Sequence, residues 1–125
     1  MYQVSMNPVT VLYKKNHGQE AERQFSIFLG EEKRADNVRR SVDGDIAGVQ
    51  VKSARATVHD DDPAETYAYV IKDFTKAYIM NRAEFATFVK EFATVTNDSN
   101  KNGGKLKKRL RYETPAMLAW LARKV

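Results

Sequence analysis

Ser41-Val42-Asp43-Gly44-Asp45-Ile46-Ala47-Gly48-Val49-Gln50-Val51-Lys52-Ser53 is the stretch on which the fold turns. From Val49 to Ser53 apolar and polar residues alternate, the pattern of a half-buried strand. The partner of that strand depends on where the chain reverses. A two-residue turn at Ala47-Gly48 sets Ile46 opposite Val49, Asp45 opposite Gln50 and Asp43 opposite Lys52. A turn at Asp43-Gly44 is chemically the better type I′ signal. It pairs Val42 with Asp45, sets Asn37 opposite Gln50 and leaves Asp36 on the other face. In the first register two carboxylates, an amide oxygen and an ammonium converge on one side of the hairpin, because cross-strand partners and residues two apart share a face. Hard oxygen donors of this kind suit Mg²⁺ or Mn²⁺. A neighbouring lysine can orient or deprotonate a water, or neutralise charge developing on a phosphate.

Upstream of the hairpin, Ala21, Phe25, Phe28 and Leu29 recur at helical spacing, with Asn16 as N-cap and Gly30 as the stop, so a helix is predicted over Gly18 to Leu29. The β-branched run Val9 to Tyr13, after Pro8, reads as an edge strand or an extended arm. Glu31 to Asn37 reads as a charged connector and Val38 to Val58 as β-structure. Asp60-Asp61-Asp62-Pro63 ends it as a solvated turn. Downstream, Tyr67 to Ile71 and Ala77 to Met80 form a hairpin around a turn near Asp73. Asn81 with Glu84 matches a capping box and opens a helix whose stripe is Phe85, Phe88, Val89 and Phe92. Asn97 to Lys105 is a polar loop containing Gly103-Gly104. Thr114 and Pro115 announce a last helix that turns Met117, Leu118 and Leu121 inward and keeps Trp120 at the stripe's edge. These signals give one small α/β domain over residues 1–125, with a mixed β-sheet flanked by α-helices.

The composition narrows the function classes. The chain has 125 residues, 42% apolar and 30% charged, which excludes collagen-like and wholly disordered chains. There is no cysteine, so no disulfide framework and no thiolate zinc site, and only His17 and His59 are available as imidazoles. His17 reads as a helix-start residue. The apolar stretches fall far short of a membrane span, and no signal peptide is visible, so a cytoplasmic location without membrane contact is expected. The net charge of +5 is unevenly distributed: residues 1–100 carry 13 Lys/Arg against 15 Asp/Glu, and residues 101–125 carry 8 against Glu113 alone. This basic C-terminal segment, 101–125, has the character of a polyanion-binding face. Lys101, Lys105, Lys107, Lys108, Arg109 and Arg111 would each neutralise a DNA phosphate, with Arg55, on the strand beyond Lys52, as a further backbone contact. Tyr112 and Trp120 are aromatic enough to stack on bases but are better placed by packing.

Gln50-Val51-Lys52 with an acid shortly upstream resembles the PD-(D/E)xK nuclease superfamily in its Q-x-K form. Gly18-x-x-x-Glu22, followed by Phe25 and Leu29-Gly30, is similar to the opening helix of Holliday-junction resolvase-like and Mrr-like members. The resemblance covers residues 16–58 and implies a restriction-endonuclease-like fold. It also implies Mg²⁺-dependent hydrolysis of DNA phosphodiesters by an activated water. Under it Asp45 is the metal-binding acid, Gln50 and the Val51 carbonyl are further ligands, and Lys52 is the catalytic lysine. Glu22 supports the metal or its water from the helix. Asp43 and Asp36 are the next candidates for the acid. Gln50 stands where an acidic residue is usual, and no Pro precedes the acid. A nucleic-acid-binding module of the same fold without catalysis is therefore the alternative, and an interaction protein with a basic docking tail a third. Ala54 and Ala56, on the Lys52 face, indicate close covering of that lysine. Cutting both strands of a duplex would require a homodimer.

Overall fold

Thr66-Tyr-Ala-Tyr-Val70 and Lys76-Ala-Tyr-Ile-Met-Asn81 explain the architecture, because each puts bulky and small residues on opposite faces of a strand. The computed structural model describes residues 1–30, 45–46, 48–59, 64–97 and 106–125, with only the backbone at 45–46, 96–97 and 106. In chain order the elements are β1 (Tyr2–Ser5), α1 (His17–Phe28), β2 (Asp45–Ile46), β3 (Val49–Lys52), β4 (Thr57–Val58), β5 (Thr66–Val70) and β6 (Lys76–Asn81). There follow α2 (Arg82–Phe92), β7 (Ala93–Asn97), β8 (Leu106–Leu110) and α3 (Pro115–Lys124). Among the described residues they form two sheets and three helices, a mixed α/β arrangement. No described helix is long and apolar enough to cross a membrane.

The larger sheet has the order β1-β6-β5-β3-β2, antiparallel throughout except for the parallel pair β3–β5. On one face Ala68, Val70, Ala77 and Ile79 join Val51 and receive Ala21 and Phe25 of α1. On the other, Tyr67, Tyr69, Tyr78 and Met80 pack under Phe85, Phe88 and Val89 of α2 and Met117 and Leu121 of α3. Burying each of these large side chains contributes roughly 2 kcal/mol. The second sheet, β4-β8-β7, is antiparallel, and Leu110 at the end of β8 completes the tyrosine-side core.

The helix starts follow the local chemistry. Asn16 accepts from the Gln19 amide at 3.0 Å, and the chain leaves α1 at Gly30, whose φ of +79° suits glycine. Asn81 and Glu84 exchange both bonds of the capping box, and the amino group of Met1 pairs with Glu84. Thr114 Oγ1 accepts from the Met117 amide at 3.2 Å, with Pro115 in the first turn.

Of the two readings of Val9 to Tyr13 the extended arm holds: it is fastened to α1 by side chains, and the edge strand is β1, at residues 2–5. The basic residues Lys107, Lys108 and Arg109 of the C-terminal segment lie on β8, the central strand of the second sheet. The helix-to-strand passage at Ala93 has no intervening loop. Arg55 is not on the strand beyond Lys52; β3 ends there, and Ser53 to Ala56 make a turn closed by the Ala56 amide on the Ser53 carbonyl at 3.1 Å. Ala54 and Ala56 thus do not extend the Lys52 face. Arg55 takes a φ of +67°, a strained value for a residue with a Cβ.

Candidate active site

The β2–β3 register is Asp45 to Gln50 and Ile46 to Val49, with Gly48 at φ +80°. This is the register of the Ala47-Gly48 alternative; Asn37, the partner of Gln50 in the other, lies outside the described residues. Asp43 and Asp36 lie outside the described residues, as do Lys101 and Lys105. On its other side β3 runs parallel to β5, with Gln50 beside Tyr67, Val51 beside Ala68 and Lys52 beside Tyr69. Alternation along the strand therefore turns Val51 toward α1, where it is buried, and Gln50 and Lys52 toward the tyrosine face.

Lys52 is half-buried, and its Nζ donates to the Thr57 carbonyl at 3.1 Å, across the turn that Arg55 shapes. Glu22, half-buried on α1, lies within the field of this ammonium. Burial pushes the Glu22 carboxyl up, and the Lys52 charge opposes part of that rise, leaving it at about 7. The helix face explains the placement: Glu20 and Glu22 flank Ala21, whose side chain faces the sheet, so the two carboxylates leave α1 on opposite sides. Ser53, next to Lys52, is buried, and its Oγ has no hydrogen-bond partner among the described residues. Among the described residues no three His, Asp or Glu side chains gather as a metal-holding group.

The cations of the C-terminal segment are divided by the strand they lie on. Lys107 and Arg109 alternate with Lys108, so β8 presents them to two faces. Arg111, exposed, follows β8. The Arg55 guanidinium sits 4.8 Å from the centre of the Tyr112 ring, and that ring is 71% exposed, so Tyr112 is a surface platform and not a packed residue. Trp120 packs at 5.9 Å from Phe88 and 5.4 Å from Phe92.

Sequence reasoning missed two polar centres. Glu20 is fully buried and accepts from the Leu12 and Tyr13 amides, from Arg23 at 2.9 Å and from Gln24 at 2.7 Å. Burial alone would raise its carboxyl, but these donors together hold it below the ordinary value of 4.5. Glu113 accepts from the buried Tyr69 hydroxyl at 2.8 Å and from the Lys72 amide. Burial, reinforced by the Glu113 charge and this bond, raises the Tyr69 phenol. The available signal was the lone acid, Glu113, at the head of α3 within a basic segment. No protein-family model, curated protein or solved structure matches this chain.

Proposed function

We propose that this protein is a small divalent-metal-dependent DNA endonuclease with a restriction-endonuclease-like fold, hydrolysing a phosphodiester with an activated water. One observation carries the reading: Lys52 ends the strand whose Gln50 pairs with Asp45, and a carboxyl poised at about 7, Glu22, lies in its field. A half-buried carboxyl raised toward neutral pH by its surroundings, within the field of a half-buried lysine, is the expected signature of proton-transfer chemistry. The donor set of the Asp45 carboxylate, the Gln50 amide oxygen and the Val51 carbonyl is all hard oxygen and fits Mg²⁺ or Mn²⁺. When bound there, such an ion supplies a hydroxide-like water at neutral pH. Lys52 would neutralise charge developing on the phosphate oxygens, and Glu22 would exchange a proton near pH 7. Arg55, Lys107, Lys108, Arg109 and Arg111 would hold the DNA backbone, with affinity falling steeply as salt rises.

A catalytically silent DNA-binding module of the same fold is the second reading. It is favoured by Gln50 in place of an acid and by the lack of a three-acid group among the described residues. Plasmid nicking separates the two. The endonuclease nicks with Mg²⁺ or Mn²⁺, stops with EDTA, and loses at least a hundredfold in rate in Lys52→Ala and Gln50→Ala, the scale of a lost general acid–base or electrostatic contribution. A salt-dependent gel shift without nicking would instead select the binding module. Variants that cut like the parent would end the assignment.

A further inference from the structure

A second concave feature lies outside the chemistry described above: a cavity of about 480 Å³ between α2 and the three-stranded sheet. Its depth is apolar. Tyr67, Phe85 and Val89 line it, all nearly buried, and the Tyr67 and Phe85 rings stack 4.0 Å apart and almost parallel. Its rim is cationic, with Arg82 and Lys90 from α2 and Lys108 from β8. None of the described lining residues is acidic. Arg82 is already oriented, its Nε donating to the Ala64 carbonyl at 3.1 Å and its head 3.6 Å from Glu65. An apolar depth ringed by positive charge complements a flat apolar body that carries an anion, and the volume suits one small ligand.

Position narrows the ligand class. Tyr67, in the depth, is the β5 neighbour of Gln50. Val58, in the wall, follows Thr57, whose carbonyl receives the Lys52 ammonium. The cavity therefore adjoins the strand that carries Gln50 and Lys52, on the same face of the sheet.

We propose that this cavity is a nucleotide subsite, taking one unstacked base of a nucleic-acid strand against Tyr67, Phe85 and Val89 and its flanking phosphates on Arg82, Lys90 and Lys108. The identity of the strand rests on the nuclease reading; the binding itself needs no hydrolysis. Apolar and aromatic surfaces hold bases without selecting sequence, and cations along the rim follow the backbone.

The test uses the full chain in EDTA, so that only binding is read. Thymidine monophosphate is titrated into isotope-labelled protein, and a fluorescent single-stranded oligonucleotide is followed by anisotropy. Amide shifts are expected along Arg82 to Ala93 and on β8. Ala86 lines the cavity from an exposed helix position, so Ala86→Trp fills it from outside the core and weakens oligonucleotide binding at least tenfold. Should Ala86→Trp misfold by circular dichroism, Lys90→Glu replaces it, with the same tenfold loss expected. Lys90→Ala lowers the logarithmic salt slope by about 0.7, the share of one single-strand phosphate. Folded Ala86→Trp or Lys90→Glu binding like the parent, shifts confined to other elements, or decanoate displacing the nucleotide at equal concentration would each overturn the subsite. Because the assay excludes divalent ions, a Lys52→Ala variant that still nicks DNA would remove the nuclease reading and leave this result standing.

Discussion

Glu20 and Glu22 stand two residues apart on one helix and meet opposite fates. Glu20 faces the N-terminal arm, where two backbone amides, a guanidinium and an amide side chain surround it. Removing it leaves Arg23 buried without its carboxylate and frees the arm, so Glu20→Ala should cost about 3 kcal/mol, measured by urea unfolding. Gly18 is a different case. A Cβ there would come no closer than 3.8 Å to Asn16 Oδ1 and 4.0 Å to Ser53 Oγ, which is ordinary contact. Gly18→Ala should therefore be stabilising by about 0.5 kcal/mol, because it reduces the freedom of the unfolded chain, and it should leave Glu22 where it is. A clear loss of stability would mean that the glycine is required for a reason that spacing alone does not provide.

At the scale of elements, what was legible in the sequence is what short-range chemistry determines. The three helix starts at Asn16, Asn81 and Thr114 could be read because a cap is a bond between a side chain and an amide two or three residues on. Asn81→Ala breaks both bonds of its box and should lower stability by about 1 kcal/mol in thermal or denaturant unfolding. β7 and β8 were not legible. Leu106-Lys-Lys-Arg-Leu110 has apolar residues only at its ends, and its partner β4 is some fifty residues away. The arm at Val9 to Tyr13 imitates a strand in composition, but side chains of α1 supply its hydrogen bonds: Gln24 accepts from the Val9 amide and donates to the Val9 carbonyl, both at 2.9 Å, Arg23 donates to the Thr10 carbonyl, and Glu20 accepts from the Leu12 and Tyr13 amides. At the candidate site two registers of similar merit could be read, and the backbone adopts one; the electrostatic link between Glu22 and Lys52 depends on helix-to-sheet packing that no local pattern encodes.

For the whole molecule these charges predict the pH profile of stability. Glu20, Asp73 and Glu84 have folded carboxyls held below their ordinary values of 4.5, 3.8 and 4.5, by hydrogen bonds from the arm and α1, from Thr75 and from Asn81. They contribute stability that is present above those values and is lost as pH falls through the folded ones. Glu22 acts in the opposite sense. Its folded carboxyl is at about 7 against an ordinary 4.5, so between these values the native state binds more protons than the unfolded state, and stability declines as pH rises. Denaturation midpoints should peak near pH 4.5 to 5, and Glu22→Gln should flatten the decline toward neutrality. A parent profile that keeps rising to pH 7 would contradict the placement of Glu22.

The two faces of the central sheet are unequal. Ala68 and Ala77, both fully buried, lie beneath α1, whereas the opposite face carries tyrosines. Their methyl groups leave this face shallow where Ala21 and Phe25 of α1 join the same apolar cluster. A larger side chain at either position has no free volume to enter, so two of the chemically plainest positions in the chain would be among the least tolerant of added bulk.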